Sequence, residues 1–173
     1  VSVNRITIKF FIEDGAGYEI SHVVPVFHRW IQTTAVPGLL IDVADYQHVA
    51  GGPGVILIGH EVDYALDLGN GRAGFLTRRK RLNGGTLAEN LQEALATAVT
   101  AAHQFEQDTG LALRPDEIEI TFPDRLHAPN TEETFAHFQE ETRAVLQKQY
   151  SHVELRNGAV DGRRPLTIAG VIG

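Results

Sequence analysis

The residues best suited to chemistry crowd between positions 42 and 63: Asp42, Asp45, His48, His60, Glu61 and Asp63. Three or four such side chains converging on one point would hold a metal ion. Strand geometry works against that convergence, because successive side chains point to opposite faces. His60 then faces away from Glu61 and Asp63, and Asp42 faces away from Asp45. No metal site and no cofactor are expected, and a metal-binding protein built on the 45–63 cluster ranks third among the functional readings.

Asp42 raises a second possibility. The segment Leu39 to Tyr46 is apolar on both faces until its end and reads as a central strand. Asp42 shares a face there with Leu40, Ala44 and Tyr46, and a buried carboxylate needs a partner or a raised pKa. If His60 or His28 faces it, the pair becomes a general acid/base centre. Asp42, His60 and His28 are therefore the candidate catalytic residues, with Tyr46 as a candidate ligand contact. The plainer account, a hydrogen-bonded Asp–His pair in the core, is preferred. A second candidate ligand site is the junction Pro123 to Asn130, where Arg125 and His127 lie just before a helix start and suit a carboxylate or phosphate.

Other suggestive runs have plain explanations. Asn70-Gly71 suits a type I′ hairpin turn. That turn would set Asp63 opposite Arg78 and Glu61 opposite Lys80, so the acidic run and the basic run Arg78 to Arg81 form a cross-strand ladder. Gly51-Gly52-Pro53-Gly54 has neither a following lysine nor a following helix, so it reads as a loop and not a phosphate cradle.

These residues are positioned by alternating patterns along 173 residues. Ile6, Ile8, Phe10 and Ile12 mark a half-buried strand, ended by a turn at 14–17. Val23, Val26, Phe27, Trp30 and Ile31 follow helical spacing after Ser21, a plausible N-cap. Ile56 to Leu68 alternates without a break and reads as one long strand with a bend near Gly59. Thr86 to Glu89 forms a capping box for a long helix closed by Gly110, and Asn130 with Glu133 makes a similar start for a third helix. Strands follow at Ile118–Phe122, Val153–Leu155 and Leu166–Ile172.

The resulting order is β-α-β-β-β-α-β-α-β-β, one α+β domain over 1–173. It has a mostly antiparallel (mixed) sheet of about six to seven strands and about three helices. The first strand and Leu39–Tyr46 are expected as parallel neighbours joined by a right-handed crossover.

Composition narrows the function classes. The chain has no cysteine, a net charge of −7 and no apolar run long enough for a membrane helix. No nucleic-acid or membrane partner is expected. Val1-Ser2-Val3-Asn4 lacks a basic region followed by an apolar core, which points to a cytoplasmic protein. No nucleophile elbow, zinc-protease motif or P-loop is present. The favoured expectation is a non-catalytic accessory or protein-interaction domain acting in an oligomer or larger complex, with the uncharged segment Leu166–Gly173 packed in the domain's own sheet or on a partner. The alternative is a small-ligand-binding domain or enzyme centred on Asp42 and His60.

Overall fold

The stretch from 54 to 67 is two strands, not one. The computed structural model, which describes residues 3–14, 17 and 19–173, ends one strand at Gly59 and starts the next at Val62, with only His60 and Glu61 between. The two run antiparallel, pairing Val55 with Leu66, Ile56 with Ala65 and Leu57 with Tyr64. Gly59 permits the tight reversal, since a Cβ there would sit 2.1 Å from the Val62 carbonyl oxygen. The reversal also changes which residues face the core. Val55 and Leu57 are buried before the turn, and Val62, Tyr64 and Leu66 after it. The unbroken even-numbered alternation in the sequence thus spans two different faces.

This extra turn raises the strand count to eight among the described residues. Strands β1 (Ile6–Phe11), β2 (Leu40–Tyr46), β3 (Gly54–Gly59), β4 (Val62–Asp67), β5 (Gly74–Arg79), β6 (Glu117–Phe122), β7 (Val153–Asn157) and β8 (Leu166–Ile172) form an antiparallel sheet in the order β2-β3-β4-β5-β1-β6-β8-β7. Helices α1 (Val23–Thr33), α2 (Leu87–Thr109) and α3 (Glu132–Leu146) complete an α+β fold. The expected parallel pairing of β1 with β2 does not form. β1 lies between β5 and β6, while β2 is an outer strand, paired with β3 alone among the described strands. β3, β4 and β5 stand between them, so the connection through α1 joins two strands that are not neighbours. β1 is also buried along its whole length, not on one face alone.

Contacts along the chain divide it into two compact units. One comprises Lys9–Arg78 and Thr97–Arg114. Its core is an aromatic cluster. Trp30 meets Phe27, Tyr64 and Phe75, and Phe75 stacks on Phe105 with ring centres 4.6 Å apart. The Trp30 indole donates to Asp108 Oδ2 at 2.7 Å, which ties α1 to the end of α2. Val23, Val26, Phe27 and Trp30 are buried as their spacing requires; a short 3-10 turn at Ile20–His22 leads into α1, and no side chain caps it. The Asn70-Gly71 turn forms as expected, with positive φ at both residues and the Arg72 amide donating to the Gly69 carbonyl. Lys9, nearly buried, pins this turn through Asp67 (2.7 Å) and the Arg72 carbonyl (2.6 Å). A buried ammonium is tolerated only with such acceptors.

The other unit comprises Val1–Ile8, Arg79–Ala96 and Pro115–Gly173. The capping box is present: the Thr86 amide donates to Glu89 Oε2 (2.8 Å) and the Glu89 amide to Thr86 Oγ1 (3.2 Å). Phe122 packs edge-on against Phe138 of α3. α3 is capped by Thr131, whose hydroxyl accepts from the Thr134 amide, and not by Asn130. The apolar run 166–172 forms β8, an interior strand between β6 and β7, with Val171 its one exposed residue. Val1, Ser2 and part of the expected turn at 14–17 (Gly15 and Ala16) lie outside the described residues.

Replacing Gly59 with alanine forces the β3–β4 turn to shift, because the obstructing atom is backbone. The G59A variant is expected to lose about 2 kcal/mol of stability, read as a lower midpoint in urea unfolding. An unchanged midpoint would contradict the tight turn.

Candidate functional site

The acid/base centre expected around Asp42 is not assembled. Its premise was a central strand, and β2 is an edge. Asp42 is exposed, and its Oδ1 accepts the amide of Val43 at 2.8 Å. His60 sits in the β3–β4 turn with an exposed side chain, while its backbone amide donates to the Leu39 carbonyl. His28 is on the exposed side of α1, and Tyr46 ends β2 at 42% exposure. No hydrogen bond joins any two of Asp42, His60, His28 and Tyr46 among the described residues.

The 45–63 cluster is also dispersed. Asp45 is spent on Gln47, accepting its amide at 2.9 Å and its side-chain nitrogen at 2.6 Å. Asp63 accepts the Gly59 amide at 3.1 Å. His48 lies beyond β2, and Glu61 is in the turn, before the first residue of β4. Among the described residues, no three histidine or carboxylate side chains gather as a metal site. The turn position of Glu61 also takes it out of the ladder proposed with Lys80. Within the basic run, Arg79 is the buried member and pairs with Glu93 at 2.5 Å.

Two other features emerge. The first is the outer strand. Leu39, Ile41, Tyr46 and Val49 are four of the seven large apolar residues that stand exposed among the described residues, and all lie within or beside β2. The register with β3 slips between Leu40 and Asp42, which makes Ile41 the extra residue of a bulge. Positions 30–71 hold five acids (Asp42, Asp45, Glu61, Asp63 and Asp67) and no lysine or arginine. The apolar patch is therefore set in a segment of one charge sign. Sequence reading missed it because periodicity reports faces and not neighbours.

The second feature is the β6–α3 loop, carrying Arg125 and His127. Asp124 organises it. Its Oδ2 lies 2.8 Å from His127 Nδ1, its Oδ1 accepts the His127 amide at 3.3 Å, and its carbonyl accepts the Ala128 amide. Partial burial raises the Asp124 pKa, but the His127 ring and backbone hydrogen bonds and the nearby charge outweigh it, leaving the carboxyl below the usual carboxylate range. Asn130 secures the loop's other end by donating to the carbonyls of Ala159 and Asp161. A cleft of about 340 Å³ opens here between Asn4, Arg5, Pro123, Asp124 and Arg125. A larger opening of about 620 Å³ lies at the start of α2, beside His137 and Glu141. The capping pair Thr86 and Glu89 already satisfies each other there.

No protein-family model matches the chain, and no curated protein matches it either.

Because its folded pKa is lowered, Asp124 contributes stability that is intact above the ordinary carboxylate pKa of about 3.9 and is lost as pH falls through the lowered value. A carboxyl NMR titration should find Asp124 ionising below that ordinary value, and His127→Ala should move it back up. A titration indifferent to that substitution would contradict the pairing.

Proposed function

We propose that the chain is a non-catalytic protein-interaction domain whose docking surface is β2 and its flanks. The observation that carries this reading is the clustering of Leu39, Ile41, Tyr46 and Val49 at one sheet edge. Single exposed apolar residues are ordinary, but a cluster marks a contact surface.

The edge itself says how a partner engages it. An open strand invites strand addition, including self-pairing. Here the bulge at Ile41 interrupts the pairing pattern, and the carboxylates of Asp42 and Asp45 occupy the amides of Val43 and Gln47. A partner therefore docks on side chains and does not extend the sheet. Charge selects the partner. Two copies would bring two cation-free acidic segments together, which costs binding energy through like-charge contact. The surface fits a second protein presenting apolar side chains flanked by lysine or arginine.

The β8 segment, which on sequence grounds was a rival contact surface, lies inside the sheet and lends this reading nothing. The absence of any assembled Asp–His pair among residues 28, 42 and 60 weighs against the ligand-binding alternative placed there.

The probe is a designed amphipathic helix of leucine and lysine, with glutamate replacing lysine in a control. NMR shift changes are expected to centre on 39–49 with the basic helix only, to weaken with salt, and to fall at least about tenfold in affinity in Ile41→Lys. Equal binding of the acidic helix would overturn the proposal. So would a dimer in analytical ultracentrifugation that Ile41→Lys dissolves.

A further inference from the structure

We propose that the cleft between Asn4-Arg5 and the β6–α3 loop is a binding site for a small phosphate monoester. Arg5 and Arg125 both line it, both are exposed, and neither makes a hydrogen bond among the described residues. Two guanidiniums sharing one cleft, neither of them bonded to a carboxylate among the described residues, are unusual in a chain carrying 22 acids against 15 bases. They leave ten N–H donors in two planar forks, the arrangement that suits the oxygens of a phosphate or carboxylate.

The neighbouring acids are already committed. Among the described residues Asp124 is the only acid lining the cleft, and His127 engages both of its oxygens. Asp161 lies close enough to Arg125 to feel its charge. Its own oxygens are gripped by the side chain and amide of Arg163, at 3.0 to 3.3 Å. Neither acid is left to close the two arginines.

The loop is held before any ligand arrives. Pro123 and Pro129 restrict it, and the Asp124–His127 contacts and the Asn130 anchor fix both ends. Pre-placed charged groups lose little entropy on binding. The volume, about 340 Å³, is at the small end for ligand sites and excludes a large nucleotide. Asn4 offers a neutral amide beside the anion, and the Pro123 ring offers an apolar wall for the ester group. A dianion matches two guanidiniums better than a monoanion does. This site belongs to a different unit from the β2 edge, so it stands or falls apart from the docking proposal.

The test follows the arginine side-chain Nε–H signals by NMR during titration of the intact protein with phenyl phosphate, inorganic phosphate and succinate. Saturable shifts of Arg5 and Arg125 are expected, strongest with phenyl phosphate. Arg5→Gln and Arg125→Gln should each weaken binding about tenfold or more, with the fold checked by the unchanged remainder of the spectrum. Arg81→Gln, an exposed arginine outside the cleft lining, should leave the affinity within about twofold. No saturable shift at millimolar phenyl phosphate would overturn the site. Equal weakening by Arg81→Gln would reduce it to general surface charge. Tighter binding of succinate than of either phosphate would overturn the phosphate assignment.

Discussion

The close approach of Gly59 to the Val62 carbonyl governs the layout of half the sheet. Any side chain at position 59 would collide with that oxygen, 2.1 Å from its Cβ. With glycine there, the chain reverses in two residues and sets Leu57 beside Tyr64. Tyr64 then reaches the aromatic cluster of Trp30 and Phe75, and its hydroxyl donates to the Pro37 carbonyl at 2.7 Å. The same reversal leaves β2 with a neighbour on one side only. The exposure of Leu39, Ile41 and Tyr46 follows from that position, as does the solvation of Asp42.

Much of this was legible in the residues. The capping box at Thr86, the stripe from Leu87 to Phe105 and the Asn70-Gly71 turn announce themselves through local chemistry, and each forms as read. The β3–β4 turn did not, for a geometric reason. A two-residue reversal preserves alternation by number while exchanging the faces, so Ile56, Ile58, His60 and Val62 look continuous. Edge and centre were likewise indistinguishable in Leu39–Tyr46. An apolar residue facing a partner and one facing a core read the same. The candidate acid/base centre was inferred from that position and dispersed with it. The junction that carries Arg125 and His127 was legible as a strand-to-helix loop because that setting is local. The position of Arg5 beside Arg125 was not, since Arg5 comes from a distant part of the chain. The third helix start was missed by one residue because Asn130 and Thr131 are both good caps, and Asn130 is drawn to the Ala159 carbonyl.

Charge distinguishes the two candidate surfaces. Acids without any cation occupy 30–71, around the exposed apolar edge. Two arginines that make no side-chain hydrogen bond among the described residues line a small cleft in the other unit. An average composition thus conceals one acidic, apolar surface and one basic recess.

Residue-resolved amide hydrogen exchange on dilute protein shows whether β2 is an uncovered edge in the isolated chain. Amides of β2 should exchange much faster than those of β3 and β4, with Ile41, at the bulge, among the fastest. Protection of β2 equal to that of β3 under the same conditions would contradict this, because the edge would then already be covered.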